Sequence, residues 1–267
     1  MIGAIIGDIV GSRFEFDYRN CKSKDFEFFH EDCEFTDDSV LTVAVAKALQ
    51  SYTGDYSVLQ HKAELYMRSL ALKYGDKGFG SMFCKWVCKE VEGPYNSYGN
   101  GAAMKISPVA YVAKDLMEVR TLSYAITSLT HNHPEGIKGA EAVAVATFLA
   151  LNGKDKKFIK DCINRHYYRT DFTLDEIRPT YSMNESCQGS VPQAFEAFFE
   201  STSFEDAIRN AISIGGDSDT IGAITGSVAE AYYGVPKNMK KEAMKFLDGR
   251  MKIIVRELDV KYGKEAV

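Results

Sequence analysis

A helical repeat of apolar residues runs through almost the whole chain, and it limits the fold more than any other feature. Residues 37–50, for example, place Leu41, Val45 and Ala48 on one face of a helix, as a period of about 3.6 residues requires. No segment alternates convincingly between apolar and polar residues, as a half-buried β-strand would. The sequence therefore predicts an all-α protein.

Local start and stop signals divide this repeat into about ten helices. Pro134 opens a helix that ends near Asn152, with Gly153 just beyond it, which is the usual placement of the two residue types. The other expected helices are 37–50, 57–74, 115–130, 155–168, 190–201, 204–214, 219–233 and 237–261, and Gly249 could break the last one. Because no repeat, linker or low-complexity segment separates them, we expect a single domain over residues 1–267.

Two sets of glycines recur every four residues: Gly3, Gly7 and Gly11 near the start, and Gly222 and Gly226 later. On a helix, such a stripe lets a neighbouring backbone approach closely. A dinucleotide-binding motif would need GxGxxG between a strand and a helix, and neither the spacing nor the context is present. The glycines therefore predict close helix packing.

Charge, cysteines and hydropathy exclude several classes of protein. The formal net charge is -5, and the chain has no long run of Lys or Arg, so sequence-independent binding to nucleic acid is not expected. The six cysteines lack the paired spacing of a zinc site, which favours free thiols in a reducing cytosol. The first eleven residues lack the basic region of a signal peptide, and no apolar run reaches the roughly 20 residues of a membrane span. We expect a cytoplasmic protein.

Two acidic segments stand out, because each crowds hydroxyls and carboxylates at the start of a predicted helix. Their polar residues are Thr36, Asp37 and Asp38 in the first segment and Asp217, Asp219 and Thr220 in the second. Helix capping explains one such residue per helix, since one side chain satisfies the free N–H groups of the first turn. The excess of oxygen ligands indicates a further role.

If the two segments converge, four aspartates lie together. Like charges at that range must protonate or bind cations, and carboxylate and hydroxyl oxygens suit Mg²⁺ and Mn²⁺. Two divalent ions would neutralise the set and could activate water. The residues therefore predict a metal-dependent hydrolase, and a two-metal phosphoesterase fits the same pattern.

Three further features are weaker on their own. Glu15 follows the first helix, where a carboxylate is usually a solvated surface group. The glycine-rich loop 97–101 could present backbone N–H groups to an anion, or could be a plain connection. His131 and His133 form an H-x-H pair, which without a third soft ligand favours hydrogen bonding or helix capping over zinc binding.

The order of these motifs resembles the ADP-ribosylglycohydrolase family. The matching stretches are GDIVGSRFE, TDDS, SYGNGAAMKISP, THNHPEG and SIGGDSDTIGAITGSVAEAYYG, which extend from residue 1 to about residue 236. The combination of a TDD segment with a distant GGDxDT segment is specific to this family, and the glycine-rich loop adds modest support to the resemblance. Ser39 stands where Thr is common, Lys105 stands where Arg is common, and His133 belongs to no family motif.

The resemblance implies a single all-α domain of orthogonal helices with a binuclear metal cleft that binds two divalent cations, Mg²⁺ or Mn²⁺. The implied cation ligands are Thr36, Asp37, Asp38, Asp217, Asp219 and Thr220. The implied ADP-ribose-binding residues are Ser97, Tyr98, Gly99, Asn100 and His131. Glu15 takes the place of the family's catalytic glutamate, as general acid/base or as the group that positions water.

The implied activity is hydrolysis of the glycosidic bond between ADP-ribose and an acceptor, through an oxocarbenium-like transition state. The partner would be an ADP-ribosylated protein, for example on arginine, or a small ADP-ribosyl conjugate, and an ADP-ribosylated nucleic acid stays open as a substrate. The alternative is a non-catalytic ADP-ribose-binding protein on the same fold. We expect a monomer in which residues 16–35 cover the site as a mobile loop.

Overall fold

The computed structural model describes residues 1–262, and within them it contains thirteen α-helices, three 3₁₀ helices and no β-strand. The all-α prediction is confirmed. The α-helices are α1 (Ile2–Ser12), α2 (Asp37–Gln50), α3 (Tyr56–Lys73), α4 (Ser81–Val87), α5 (Leu116–Thr127), α6 (Pro134–Leu151), α7 (Lys156–His166), α8 (Leu174–Ile177), α9 (Cys187–Phe199), α10 (Phe204–Ser213), α11 (Ser218–Tyr233), α12 (Lys237–Ala243) and α13 (Gly249–Tyr262). The 3₁₀ helices are Asp17–Arg19, Asn100–Ala102 and Ser107–Tyr111.

The observed helix bounds lie close to the predicted ones where the chain carries a clear cap. Thr36 caps α2, and its side chain accepts a hydrogen bond from the backbone N–H of Asp38. Helix α9 begins three residues before the predicted start, because the Ser186 side chain caps it by accepting the N–H of Gly189. The predicted helix 237–261 is two helices, α12 and α13, and the second begins at Gly249.

Helices α1 and α11 form the centre of the protein and cross in direct backbone contact. A Cβ atom added at Gly7 would lie 1.9 Å from the carbonyl oxygen of Gly222. One added at Gly226 would lie 2.1 Å from the carbonyl oxygen of Gly3. Only glycine fits at these positions, so the predicted close packing is confirmed. The pairing runs antiparallel and brings the end of α1 beside the start of α11.

The remaining helices surround this pair. Helices α6, α9 and α10 pack against α11, while α2 packs against α1 and α3. The start of α2 therefore lies beside the end of α1, where a hydrogen bond joins the N–H of Glu34 to the Ser12 hydroxyl at 3.0 Å. All six cysteines are free, as predicted. None of the helices described within residues 1–262 combines the length and the hydropathy needed to cross a membrane.

Candidate active site

A cavity of about 290 Å³ opens where the starts of α2 and α11 meet the glycine-rich loop. The sequence-predicted residues that line it are Glu15, Asp37, Asp38, Ser97, Gly99, Asn100, Lys105, His131, Asp217, Asp219 and Thr220. The structure thus brings both acidic segments, Glu15 and the loop to one place. Thr36 and Tyr98 lie outside the lining, the first buried and the second 52% exposed.

Asp8 organises the acidic cluster, a role that sequence reasoning missed. Its Oδ2 accepts the N–H groups of Thr36 (3.0 Å) and Ser39 (3.1 Å) and the Ser39 hydroxyl. Its Oδ1 accepts the Thr36 hydroxyl at 2.6 Å. Asp8 is fully buried in α1, so these donors replace the water that it gives up. The signal in the sequence was a carboxylate inside an apolar helix, which needs such partners.

Asp8, Asp38 and Asp219 are near enough to share a cation. One carboxylate oxygen from each lies within 4.8 Å of the others, and all three residues are buried. Oδ2 of Asp38 accepts the Thr220 hydroxyl at 3.2 Å, whereas its Oδ1 is buried without a hydrogen-bond partner. A buried, unpaired carboxylate oxygen is costly, and a hard cation is the kind of partner that it lacks.

The other two aspartates of the predicted set flank this trio. Asp217 Oδ2 accepts the Asn100 side-chain amide at 2.6 Å, and the same amide donates to the Ser190 hydroxyl at 2.9 Å. Asp37 lines the cavity, and its backbone N–H donates to the carbonyl of Lys77 at 2.8 Å. Asn100 therefore ties the glycine-rich loop to the start of α11.

The aspartates hold more negative charge than a buried site tolerates. Burial raises the pKa of Asp8 and of Asp217 to about 6, even though hydrogen bonds to both carboxylates act in the opposite direction. Burial, and then the neighbouring carboxylates, raise the pKa of Asp37, Asp38 and Asp219 well above the usual range. Protons or cations are needed to balance the cluster.

Glu15 lies three residues beyond α1, half-buried at the edge of the cavity. Burial raises its pKa to about 8, the charges of Asp219 and Asp8 add to this effect, and Arg19 opposes it. A carboxyl group with such a pKa holds a proton near neutral pH. That property suits a general acid.

The glycine-rich loop is fixed to the segment before α9. The N–H of Asn100 donates to the carbonyl of Glu185 at 2.8 Å, and the N–H of Cys187 donates to the carbonyl of Tyr98 at 2.9 Å. The exposed Tyr98 ring lies 5.4 Å from the His133 ring, edge to face. His133 caps α6 by accepting the N–H of Glu135 at 3.1 Å, which confirms the capping interpretation.

His131 and Lys105 are buried beneath the loop. Nδ1 of His131 pairs with the Thr130 hydroxyl at 2.8 Å. Burial and then the Lys105 charge hold the His131 pKa well below its usual range, so the ring is neutral. The Lys105 ammonium donates to the carbonyl of Gly101, and burial lowers its pKa to about 8. Lys105 thus supports the loop from below.

Residues 16–35 do not cover the cavity, which corrects the expectation of a mobile cover. No residue of this segment lines it, and the segment is fastened beside the cavity: the Lys22 ammonium donates to the carbonyls of Tyr181 (2.6 Å) and Ile214 (2.5 Å). The rim is instead built by Met183 and Glu185 and by residues 80–83, which the sequence did not indicate.

A family model described as ADP-ribosylglycohydrolase matches residues 1–260 of this chain. The chain belongs to the ADP-ribosylglycohydrolase family. The family resemblance and the enzyme class inferred from the sequence are confirmed, and the buried aspartate cluster is the feature of this member that suits a metal ion.

Sequence alignments with related proteins extend over most of this chain. It is 25% identical to the ADP-ribosylhydrolase ARH3 of Xenopus tropicalis, over 93% of this chain and 91% of that protein. It is also 25% identical to the ADP-ribosylarginine hydrolase Tri1 of Pseudomonas putida, over 88% of this chain and 70% of that protein. A solved structure titled "ADP-ribosylglycohydrolase-related protein complex" has the same fold, with a TM-score of 0.68, 19% identity, and coverage of 98% of this chain and 95% of that chain.

Proposed function

We propose that this protein hydrolyses the glycosidic bond between ADP-ribose and an acceptor, and that it depends on Mg²⁺ or Mn²⁺. The observation that carries the proposal is the cavity that Glu15, Asp38 and Asp219 line together, in which the buried Oδ1 of Asp38 has no hydrogen-bond partner. The names of the relatives support it, since ARH3 and Tri1 are both described as hydrolases of ADP-ribosyl groups.

The donor set fits divalent cations. The proposed ligands remain Thr36, Asp37, Asp38, Asp217, Asp219 and Thr220, to which Asp8 is now added as a nearby carboxylate. Bound cations would neutralise the cluster, polarise ribose hydroxyls and lower the pKa of a water molecule. Without them, Asp8 holds Thr36 and Ser39 in place and Thr220 holds Asp38, so this part of the site is formed in advance.

Glu15 supplies the proton chemistry. In its protonated form it donates a proton to the acceptor atom as the bond to the anomeric carbon breaks. The resulting carboxylate then takes a proton from the attacking water, which restores the acid. Burial is the largest cause of the raised pKa of Glu15, and it favours the protonated starting form whether or not cations are bound.

ADP-ribose would lie between the aspartates and the loop Ser97–Asn100. Asn100 and His131 present an amide and a neutral imidazole at the cavity wall, and neither carries a charge that would repel the diphosphate. The half-exposed Tyr98 ring is free on one side to stack on adenine. The partner would be an ADP-ribosylated protein or a small ADP-ribosyl conjugate.

We also propose that the chain is one domain and acts as a cytoplasmic monomer. Helix α2, which carries the first acidic segment, packs against the central pair to which α11 belongs, and all six cysteines are free thiols, as a reducing compartment requires. Light scattering of the purified protein tests the oligomeric state.

Product analysis tests the activity. The purified protein is incubated with a panel of defined ADP-ribosyl linkages, with Mg²⁺ or Mn²⁺ and after removal of cations by a chelator. Cation-dependent release of free ADP-ribose supports the proposal. AMP or inorganic phosphate as the product would instead identify a phosphoesterase. Tight binding of ADP-ribose that needs no cation, with every linkage left intact, would identify a binding protein.

A further inference from the structure

Two aromatic side chains directly after Glu15 form an exposed pair. Phe16 is 42% and Tyr18 is 76% exposed, and their ring planes are parallel within 2° with centroids 5.9 Å apart. The Arg19 guanidinium lies 5.2 Å from the centroid of the Tyr18 ring and extends the pair. Exposed aromatic rings are a costly surface in water, and such surfaces are typical of binding sites.

The backbone at Phe16 is held in a conformation that favours glycine. Its φ angle is 72°, in the left-handed region that bulky L-residues rarely adopt. This geometry persists only when the surrounding structure enforces it, and such residues cluster at functional sites. A glycine at position 16 would remove the strain, whereas the chain keeps an aromatic ring there.

The turn that carries the pair is fastened on both sides. Asp17 Oδ1 accepts the backbone N–H of Met183 at 2.8 Å and the side-chain amide of Asn20 at 3.0 Å. Asn20 Oδ1 in turn accepts the N–H of Gly216, next to Asp217, at 2.8 Å. The aromatic pair is therefore anchored to the cavity rim at Met183 and to the turn before α11.

The spacing of the rings defines how they can bind. A planar group sandwiched between two rings needs about 7 Å between them, because each carbon–carbon contact takes about 3.5 Å. The two rings are instead stacked on each other with centroids 5.9 Å apart, so no planar group fits between them. A ligand must bind on the outside of the pair, where Phe16 and Tyr18 remain 42% and 76% exposed.

We propose that Phe16 and Tyr18 bind the polypeptide that carries the ADP-ribosyl group and so determine preference for protein-linked substrates. This inference rests on the proposed function. With ADP-ribose in the cavity, the acceptor would extend outside it from the bond beside Glu15. Phe16 and Tyr18 follow Glu15 directly, do not line the cavity and are joined to its rim through Asp17 and Met183, so they lie where the acceptor chain would extend. Peptide planes and apolar side chains pack well on aromatic faces.

The test compares one linkage presented in two ways: on an ADP-ribosylated protein and on the corresponding free amino acid. The variants are Phe16→Gly, Tyr18→Ala and the double variant of the full chain, assayed with Mn²⁺. Phe16→Gly removes the ring and suits the positive φ angle, so its melting temperature should not fall. Tyr124→Ala is the matched control, because Tyr124 is 58% exposed on α5 and does not line the cavity.

We expect the ratio of kcat/KM for the protein-linked substrate to that for the free amino acid conjugate to fall about tenfold in each single variant, mainly through KM. Tyr124→Ala should leave this ratio unchanged. An unchanged ratio in the double variant, or an equal loss on both substrates, overturns the inference and leaves the proposed function standing. If the wild-type protein releases ADP-ribose from neither form, both are overturned.

Discussion

Asp8 and Thr36 are joined by two hydrogen bonds, one from the backbone N–H and one from the hydroxyl of Thr36 to the two carboxylate oxygens. They connect the middle of α1 to the start of α2 across 28 residues of sequence. The same threonine caps α2 through its hydroxyl oxygen. One buried carboxylate therefore fixes both the position and the first turn of the helix that carries Asp37 and Asp38.

Replacing Asp8 by Asn should lower the free energy of unfolding by about 2 kcal/mol with cations present, because an amide cannot accept from all the donors that face it. Denaturant unfolding measures this change. Asp55→Asn is the control: Asp55 caps α3 at the surface, and Asn caps a helix equally well, so we expect a loss below about 0.5 kcal/mol. Equal stability of both variants would contradict the role given to Asp8.

Stability without cations should fall as the pH rises. Burial raises the folded-state pKa of Asp8 and of Asp217 to about 6, compared with about 3.9 for an unfolded aspartate. Protonation of these two carboxyl groups therefore stabilises the folded state. This stabilisation is complete below the pKa of the unfolded chain and is lost as the pH rises through the pKa of the folded state. In chelator, the melting temperature should drop by about 5 °C or more between about pH 5 and about pH 7.5.

Saturating Mg²⁺ or Mn²⁺ should reverse most of this drop in melting temperature at about pH 7.5. At about pH 5 the cations should have little effect on the melting temperature. At low pH, protons already occupy the carboxylates that the cations would bind. Differential scanning calorimetry at both pH values separates the two effects. A cation-induced shift of the same size at both pH values would be evidence against the aspartate cluster as the binding site.

The variant Glu15→Gln should reduce kcat by about 10²- to 10⁴-fold, because the amide can neither donate nor accept the transferred proton. Its affinity for ADP-ribose, measured by titration calorimetry, should change little. Glu185→Gln is the matched control, since Glu185 is an exposed carboxylate on the rim of the same cavity. A wild-type rate in the Glu15 variant would show that its catalytic assignment is wrong.

The variant Gly7→Ala should lower the free energy of unfolding by about 3 kcal/mol or prevent folding, because the new methyl group would overlap the carbonyl of Gly222. Gly249→Ala provides the comparison. A Cβ atom at Gly249 meets nothing within 4 Å, so a change within about 0.5 kcal/mol is expected. Thermal unfolding of the two variants reports the difference, and a folded Gly7 variant of wild-type stability would disprove the close contact.

Local signals in the sequence predicted what depends on a few neighbouring residues. The start of α2 at Asp37 and the start of α6 at Pro134 follow directly from Thr36 and from the proline itself. The sequence raised the convergence of the two acidic segments only as the condition for cation binding, and the structure brings Asp38 and Asp219 together. The family resemblance gave Glu15 a catalytic role, which its local sequence alone did not favour.

Contacts between distant segments could not be read in this way. Asp8 was visible as a carboxylate in an apolar helix, but its donors come from a segment 28 residues away. Met183 joins the rim through Asp17, which lies 166 residues before it. The anchoring of Lys22 to Ile214 is equally remote, so a segment rich in polar and aromatic residues was interpreted as a mobile cover.

The crossing of α1 and α11 has a consequence for Asp8 and Asp219, which these helices carry. At Gly7 and Gly222 the two helices touch through main-chain atoms alone. A spacer made of side chains would widen or narrow as rotamers change or as neighbouring core residues are replaced. Here the distance between the backbones of α1 and α11 is set by main-chain contact. Substitutions elsewhere in the core therefore leave the separation of Asp8 and Asp219 unchanged.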